Sequence, residues 1–152
     1  MITTEAEYKR ALERLDNDLE TIRKQKEKLV EMELDEEEID RALQPLLSFH
    51  EQLKEEVEAY EKLKRGDFGT LYNLNSIGRW LIGLRIAKGW TQQELADRLG
   101  VTQAQISKDE NNEYHGISVA RAQKIFEVFK TRVRVEIEDP VSFDEDPEFQ
   151  YA

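Results

Sequence analysis

The chain of 152 residues contains no cysteine, so disulfides and thiolate metal sites are both excluded. A reducing cytoplasmic setting is therefore expected. Only two histidines are present, and they lie in different segments, at His50 and His115. No glycine-rich phosphate loop and no metal-ligand spacing occurs. With most carboxylates on solvated helix faces, neither an enzyme nor a bound cofactor or metal is expected. No apolar run approaches the ~20 residues that a membrane span needs, and the polar N-terminal stretch does not read as a signal peptide.

What is abundant is charge. Charged residues make up 36% of the chain and the net charge is −11. Its distribution is uneven. Residues 1–65 hold 12 basic and 19 acidic residues, net −7. Residues 66–133 hold 9 and 7, net +2, and residues 134–152 hold 1 and 7, net −6. Local positive charge, not global charge, decides whether phosphate can be bound.

The acidic N-terminal part has a helical period. Tyr8, Leu12, Leu15, Leu19, Ile22 and Leu29 repeat at alternating four- and three-residue spacings, with Lys26 filling the gap. A second stripe runs through Ile39, Leu43, Leu46, His50, Leu53, Val57 and Tyr60. Thr4 with Glu7 and Asp35 with Glu38 have the spacing of capping boxes at the two helix starts. The position numbers of Tyr8 and Tyr60, Leu15 and Leu53, Ile22 and Leu46, and Leu29 and Ile39 each total 68. Those of Leu12 and Val57, Leu19 and His50, and Lys26 and Leu43 total 69. Folding the chain back near residue 34 sets these pairs face to face, so residues 1–65 are expected to form an antiparallel helical hairpin. Pro45 should kink or divide its second arm. Leu47, Phe49 and Leu63 lie beside the seam, so the hairpin should pack on something further: a second copy, the rest of the chain, or a partner.

A turn-rich linker, 66–76, follows, with Phe68, Leu71, Tyr72 and Leu74 expected to dock on the next domain. Ser76 can cap a helix carrying Ile77, Trp80, Leu81 and Leu84 on one face. From Thr91 to Ser107 the sequence is T-Q-Q-E-L-A-D-R-L-G-V-T-Q-A-Q-I-S. Thr91 precedes Glu94 by three residues and Thr102 precedes Gln105 by three, so two capping boxes are expected. Gly100 supplies the left-handed residue that closes the first helix. Two capped helices joined by a three-residue turn make a helix-turn-helix, whose second helix can enter the DNA major groove. Leu95, Ala96, Leu99, Val101 and Ile106 read as its core. Ser118 starts a last helix with Val119, Ala122, Ile125, Phe126 and Phe129 inward.

Thr91, Gln92, Glu94, Leu95, Ala96, Leu99, Gly100, Val101, Thr102, Ile106 and Ser107 resemble the signature of phage-repressor-like helix-turn-helix domains, the Cro/repressor or xenobiotic-response-element class. The resemblance implies a DNA-binding domain over 77–130. It places Gln103, Ala104 and Gln105 at the start of the recognition helix, with Thr102 and Ser107 also among the expected DNA-binding residues. There Gln103 can pair with adenine and the Ala104 methyl with thymine, while Gln105 either reads a base or only completes its capping box. The resemblance also gives Gln92 a phosphate contact and a bracing role, and gives Lys108 a phosphate or base, with Arg98 a weaker candidate. Asn111, Asn112, Tyr114 and His115 fill a loop that runs along the backbone in relatives; Tyr114 could equally pack down. Arg85 and Glu110 are expected to form a structural pair. Asp109 departs from the usual apolar residue, and an acid there must turn away or be neutralised. Arg79 and Lys88 read as surface charges.

Relatives add a fifth helix, but here Val133, Val135 and Ile137 alternate with charges, the pattern of a strand over 131–139. No second strand is evident in the sequence, so a partner chain is implied. An acidic tail, 140–152, follows. The expected fold is thus mainly α: an N-terminal antiparallel helical hairpin plus a repressor-like helix-turn-helix domain, with one short C-terminal β-strand. The expected function is a cytoplasmic, sequence-specific transcriptional regulator, a homodimeric repressor on double-stranded DNA. The alternative is an antitoxin of the HigA type, which neutralises a basic toxin through its hairpin or tail and represses its own promoter. A helix-turn-helix serving only to dock proteins is a third option.

Overall fold

The computed structural model describes residues 1–136. Ile137, the remainder of the expected strand and the acidic tail lie outside the described residues. Six α-helices follow in order: α1 (Glu5–Glu31), α2 (Glu36–Lys64), α3 (Ile77–Ala87), α4 (Gln92–Leu99), α5 (Gln103–Asn111) and α6 (Val119–Val128). A 3₁₀ turn, Leu74–Ser76, leads into α3.

Helices α1 and α2 both have their starts closed by side chains. The Thr4 hydroxyl accepts from the Glu7 amide, and the Glu7 carboxylate accepts in return from the Thr4 amide. Asp35 and Glu38 do the same for α2. Between the arms, Glu33 takes the left-handed conformation (φ +57°) and the chain reverses. The arms meet along their facing stripes. At the open end the Tyr8 and Tyr60 rings stack with centroids 4.9 Å apart. The two hydroxyls cross over, Tyr8 donating to Glu61 (2.7 Å) and Tyr60 to Glu5 (3.1 Å). At the turn end Leu29, Ile39 and Leu43 form a small separate core with Leu34 and Leu46.

Of the two outcomes expected at Pro45, division of the arm does not occur, because α2 is continuous through the proline. The proline is exposed, so the Arg41 carbonyl that loses its intrahelical donor can be met by water. The second row of seam pairs is not closed either: Leu12 is exposed and Leu19 is 55% exposed, although Val57 and Leu43 opposite that row are buried. Two helices alone bury one row each, and α1 turns Ala11 and Leu29 inward, leaving the flanking row at the edge.

The hairpin's open end is part of the next domain. Ile2, Ala11, Val57 and Tyr60 belong to one continuous core with Leu81, Ile82, Ile86, Leu95, Ala96, Ile106, Tyr114, Ala122, Ile125, Phe126 and Phe129. Leu63 and Phe68 close against α3 at Gly83, where a Cβ would lie 2.9 Å from both side chains. Gly78 is tighter still: a Cβ there would lie 1.8 Å from the Glu113 carbonyl oxygen, so only glycine lets α3 pass the loop after α5. That loop turns through Glu113 and Tyr114, both with positive φ.

Four apolar residues expected in the core stay outside. Tyr72 and Leu74 are exposed, and Phe68 and Leu71 alone turn partly inward from the linker. Val101 sits in the turn between α4 and α5 and is exposed, with Ile106 filling the space beneath. Val119 is 81% exposed. It occupies the first helical position after the Ser118 cap, and Ile117, before the cap, packs inward in its place as a hydrophobic staple does. Beyond α6, residues 131–136 form no strand in the single chain, and Val133 and Val135 are exposed.

Candidate nucleic-acid interface

The turn between α4 and α5 sets the site. Thr91 and Glu94 complete a capping box at the start of α4, with the Thr91 amide 2.7 Å from the Glu94 carboxylate. Gly100 ends α4 in the left-handed conformation (φ +70°), and three residues, Gly100 to Thr102, separate the two helices. Thr102 caps α5 through the Gln105 amide (3.2 Å). The expected reciprocal half is missing. Gln105 instead donates to the Asp109 carboxylate one turn further on, at 2.7 Å. The Asp109 carboxylate draws the Gln105 NH₂ along the helix, which carries the amide oxygen away from the Thr102 N–H that it would otherwise accept from.

Beneath α5 lies a buried ion pair. Arg85 donates from Nε to Glu110 at 2.5 Å and from a terminal nitrogen at 2.6 Å. Its remaining donors reach the Trp90 carbonyl (2.9 Å) and the Thr3 carbonyl (2.8 Å). One guanidinium thus ties α3 to α5, to the loop before α4 and to the first residues of the hairpin. Gln92 Nε2 donates to Glu110 at 2.9 Å, and Gln103 Nε2 donates to Gln92 Oε1 at 3.0 Å. The first residue of α5 is therefore braced, through the first residue of α4, by the buried carboxylate.

The outward side of α5 is an open, shallow depression lined by Gln103, Ala104, Ser107, Lys108, Asn111 and Asn112. Thr102 and His115 are exposed beside it, while Gln105 is half-buried. Tyr114 is different: it is buried, its hydroxyl has no partner, and burial pushes its phenol well above the ordinary range. It therefore packs down and is no phosphate contact, since a group aimed at DNA must reach solvent. Asp109, the awkward acid of α5, is neutralised by Arg121 near the start of α6. Arg121 was not singled out in the sequence; the need of Asp109 for a cation was the signal that could have found it. Arg98 lies over the Trp90 ring, 3.9 Å from its centroid, and donates to the Glu94 carbonyl. Arg79 pairs with Glu113 at 3.1 Å. Both are held away from the depression's lining.

This arrangement, two capped helices crossing at a three-residue turn with the second presenting a polar outer face, is that of a DNA-binding helix-turn-helix. Residues 81–135, about a third of the chain, match the family model described as helix-turn-helix. The match agrees with the phage-repressor-like class, and the domain is that of a DNA-binding transcriptional regulator. No curated protein and no solved structure matched the chain. Among the described residues, no helix is long and apolar enough to cross a membrane, and no group of three or more His, Asp or Glu could hold a metal ion.

Proposed function

We propose that the chain is a sequence-specific repressor that binds operator DNA as a homodimer and reads the major groove with α5. The observation that carries this is the open α5 face. Gln103, Ala104, Ser107, Lys108, Asn111 and Asn112 line one continuous surface, and none of them is used up in the core. Gln103 and Ala104 supply base contacts, and Lys108, Asn111, Asn112 and His115 supply backbone contacts. Thr102 and Ser107 lie where hydroxyls can reach phosphate, and Gln92 has one amide hydrogen left for an anion at the α4 N-terminus. Gln105, held by Asp109, keeps its carbonyl oxygen for a base.

Dimerisation follows from the weak charge of the reading domain. A net +2 over 66–133 gives one copy little phosphate affinity. Val133 and Val135 are exposed and unpaired among the described residues, and they supply the pairing segment of a two-fold dimer. Such a dimer sets two α5 helices ~34 Å apart. The test is duplex selection from a random pool: the enriched sites should be two half-sites with that spacing. Enrichment of isolated single sites would remove the dimer.

The second reading, an antitoxin, is favoured by a separate observation. The acidic hairpin leaves Leu19, Val30, Met32 and Phe49 exposed, all more than half accessible. Apolar side chains set among carboxylates fit a basic protein partner. A small basic protein encoded beside this chain should then co-purify with it and protect the hairpin from proteolysis. A chain isolated alone, with no such neighbour, counts against the antitoxin.

A further inference from the structure

We infer that the acidic C-terminal segment of this chain, residues 137–152, docks on a basic groove formed by α4 and the ends of α3 and α6, apart from the α5 face. The groove shares no residue with the depression on α5. Three cations edge it: Lys88 after α3, Arg98 on α4 and Lys130 after α6. All three are exposed, and none forms an ion pair with a carboxylate among the described residues. Two of them share an aromatic ring instead. Arg98 lies 3.9 Å from the Trp90 centroid and the Lys88 ammonium 6.0 Å from it. Two cations at one ring repel each other, and an incoming anion relieves that repulsion. The floor is apolar. Trp90 is half-buried against Phe129, with ring centroids 5.4 Å apart, and Val128 lines the groove with them. Glu127 is the one acid in the lining.

The occupant is read from the chemistry of the remaining chain. Residues 137–152 carry six acids, no base, and the aromatics Phe143, Phe149 and Tyr151. Carboxylates interleaved with rings match cations set around a tryptophan. Duplex phosphates match the cations alone and leave the apolar floor uncovered. The segment also starts in the right place, because Phe129 and Lys130 are groove residues and the chain runs on from them into it. The thirteen residues from Lys130 to Phe143 extend up to ~45 Å, enough to turn back onto the groove. Tethering gives the segment an effective concentration on the order of mM, so weak contacts suffice and the chain's own segment outcompetes a second copy's. Docking there offsets the net +2 of residues 66–133 and leaves α5 uncovered, so the inference stands whether or not α5 reads DNA.

The test is paramagnetic relaxation in the full chain. With no native cysteine, Ser142→Cys gives a single attachment point for a nitroxide. In an isotope-labelled chain at low salt, the Lys88 and Arg98 amides and the Trp90 indole N–H should lose most of their intensity. Reducing the nitroxide should restore it, and the Glu33 amide at the hairpin turn should be unaffected throughout. Asp144→Asn, Glu145→Gln, Asp146→Asn and Glu148→Gln together should abolish the loss. Groove signals that fade no more than that of Glu33, or that still fade in the neutralised variant, overturn the inference. So do groove signals that ignore the nitroxide and shift only when duplex DNA is added, which would make the groove a phosphate contact. Isotope-labelled wild type mixed with unlabelled nitroxide chain should show no loss; the same loss there would assign the groove to a second copy's tail and overturn docking within one chain.

Discussion

Arg85 and Glu110 form a buried ion pair with two hydrogen bonds, at 2.5 and 2.6 Å, and both side chains are almost wholly withdrawn from solvent. The pair joins the helix that packs on the hairpin to α5, the helix proposed to face DNA. Charges placed this deep are costly to separate, because the survivor is left buried and uncompensated.

Arg85→Met should therefore destabilise the fold by about 3–5 kcal/mol, and Arg85→Met with Glu110→Met should recover a large part of that loss. Urea unfolding of the two variants checks this. Equal instability of single and double variants would mean that the lost bonds to Thr3 and Trp90, not the stranded charge, dominate.

Arg121 is expected to matter for DNA more than for stability. Its partner Asp109 lies on α5, and the pair is partly exposed, so removing it should cost no more than about 1 kcal/mol of stability. Arg121→Ala leaves an unneutralised acid on the reading helix. DNA affinity should fall, and Asp109→Asn in the same background should restore it. Fluorescence anisotropy with a selected duplex at two salt concentrations measures both.

The two helical glycines of α3 should differ sharply. Gly78→Ala drives a Cβ into the backbone carbonyl of Glu113, which cannot rotate away. A loss of about 3 kcal/mol or more is expected. At Gly83 the obstacles are the Leu63 tip and the Phe68 ring edge, which can move. Gly83→Ala should cost less, offset in part by the roughly 1 kcal/mol that alanine gains over glycine in a helix. Thermal unfolding of the two variants gives the order, and a reversed order would contradict the packing.

Tyr60 gives a pH signature. Burial, and then its bond to Glu5, pushes its phenol up to about 12. A folded value above the unfolded value of about 10 means that the unfolded chain releases the proton first as pH rises. The contribution is fully present below pH ~10 and is lost as pH rises toward 12. Tyr60→Phe should flatten the alkaline decline in stability over that window. An unchanged alkaline limb would show that Tyr60 is not the group responsible.

The helices and their ends were legible in the sequence because local chemistry decides them. Thr4–Glu7, Asp35–Glu38 and Thr91–Glu94 close their helices with side chains three residues apart, and Gly100 is the turn residue that the spacing demands. The Tyr8–Tyr60 stack was legible because a regular period fixes which residues face one another. What failed was set by competition at a distance. Gln105 has the capping-box spacing, but Asp109 takes its amide; Val119 has the right period, but Ile117 takes its place. The docking of the hairpin's open end on α3 was one of three options in the sequence. It became definite through Ile2, Val57 and Tyr60, which join the core of the DNA-binding domain. The contact from Arg85 to the Thr3 carbonyl carries no sequence signal, because the acceptor is main chain.

The central claim is that the outer face of α5 reads DNA. Its most direct test is equilibrium binding of the full chain, and of Gln103→Ala with Lys108→Ala, to the duplex that the wild type selects. Loss of one base contact and one backbone contact should weaken binding by at least roughly tenfold, with a shallower salt dependence and unchanged thermal stability. Wild-type affinity and an unchanged salt slope in the double variant would contradict the claim.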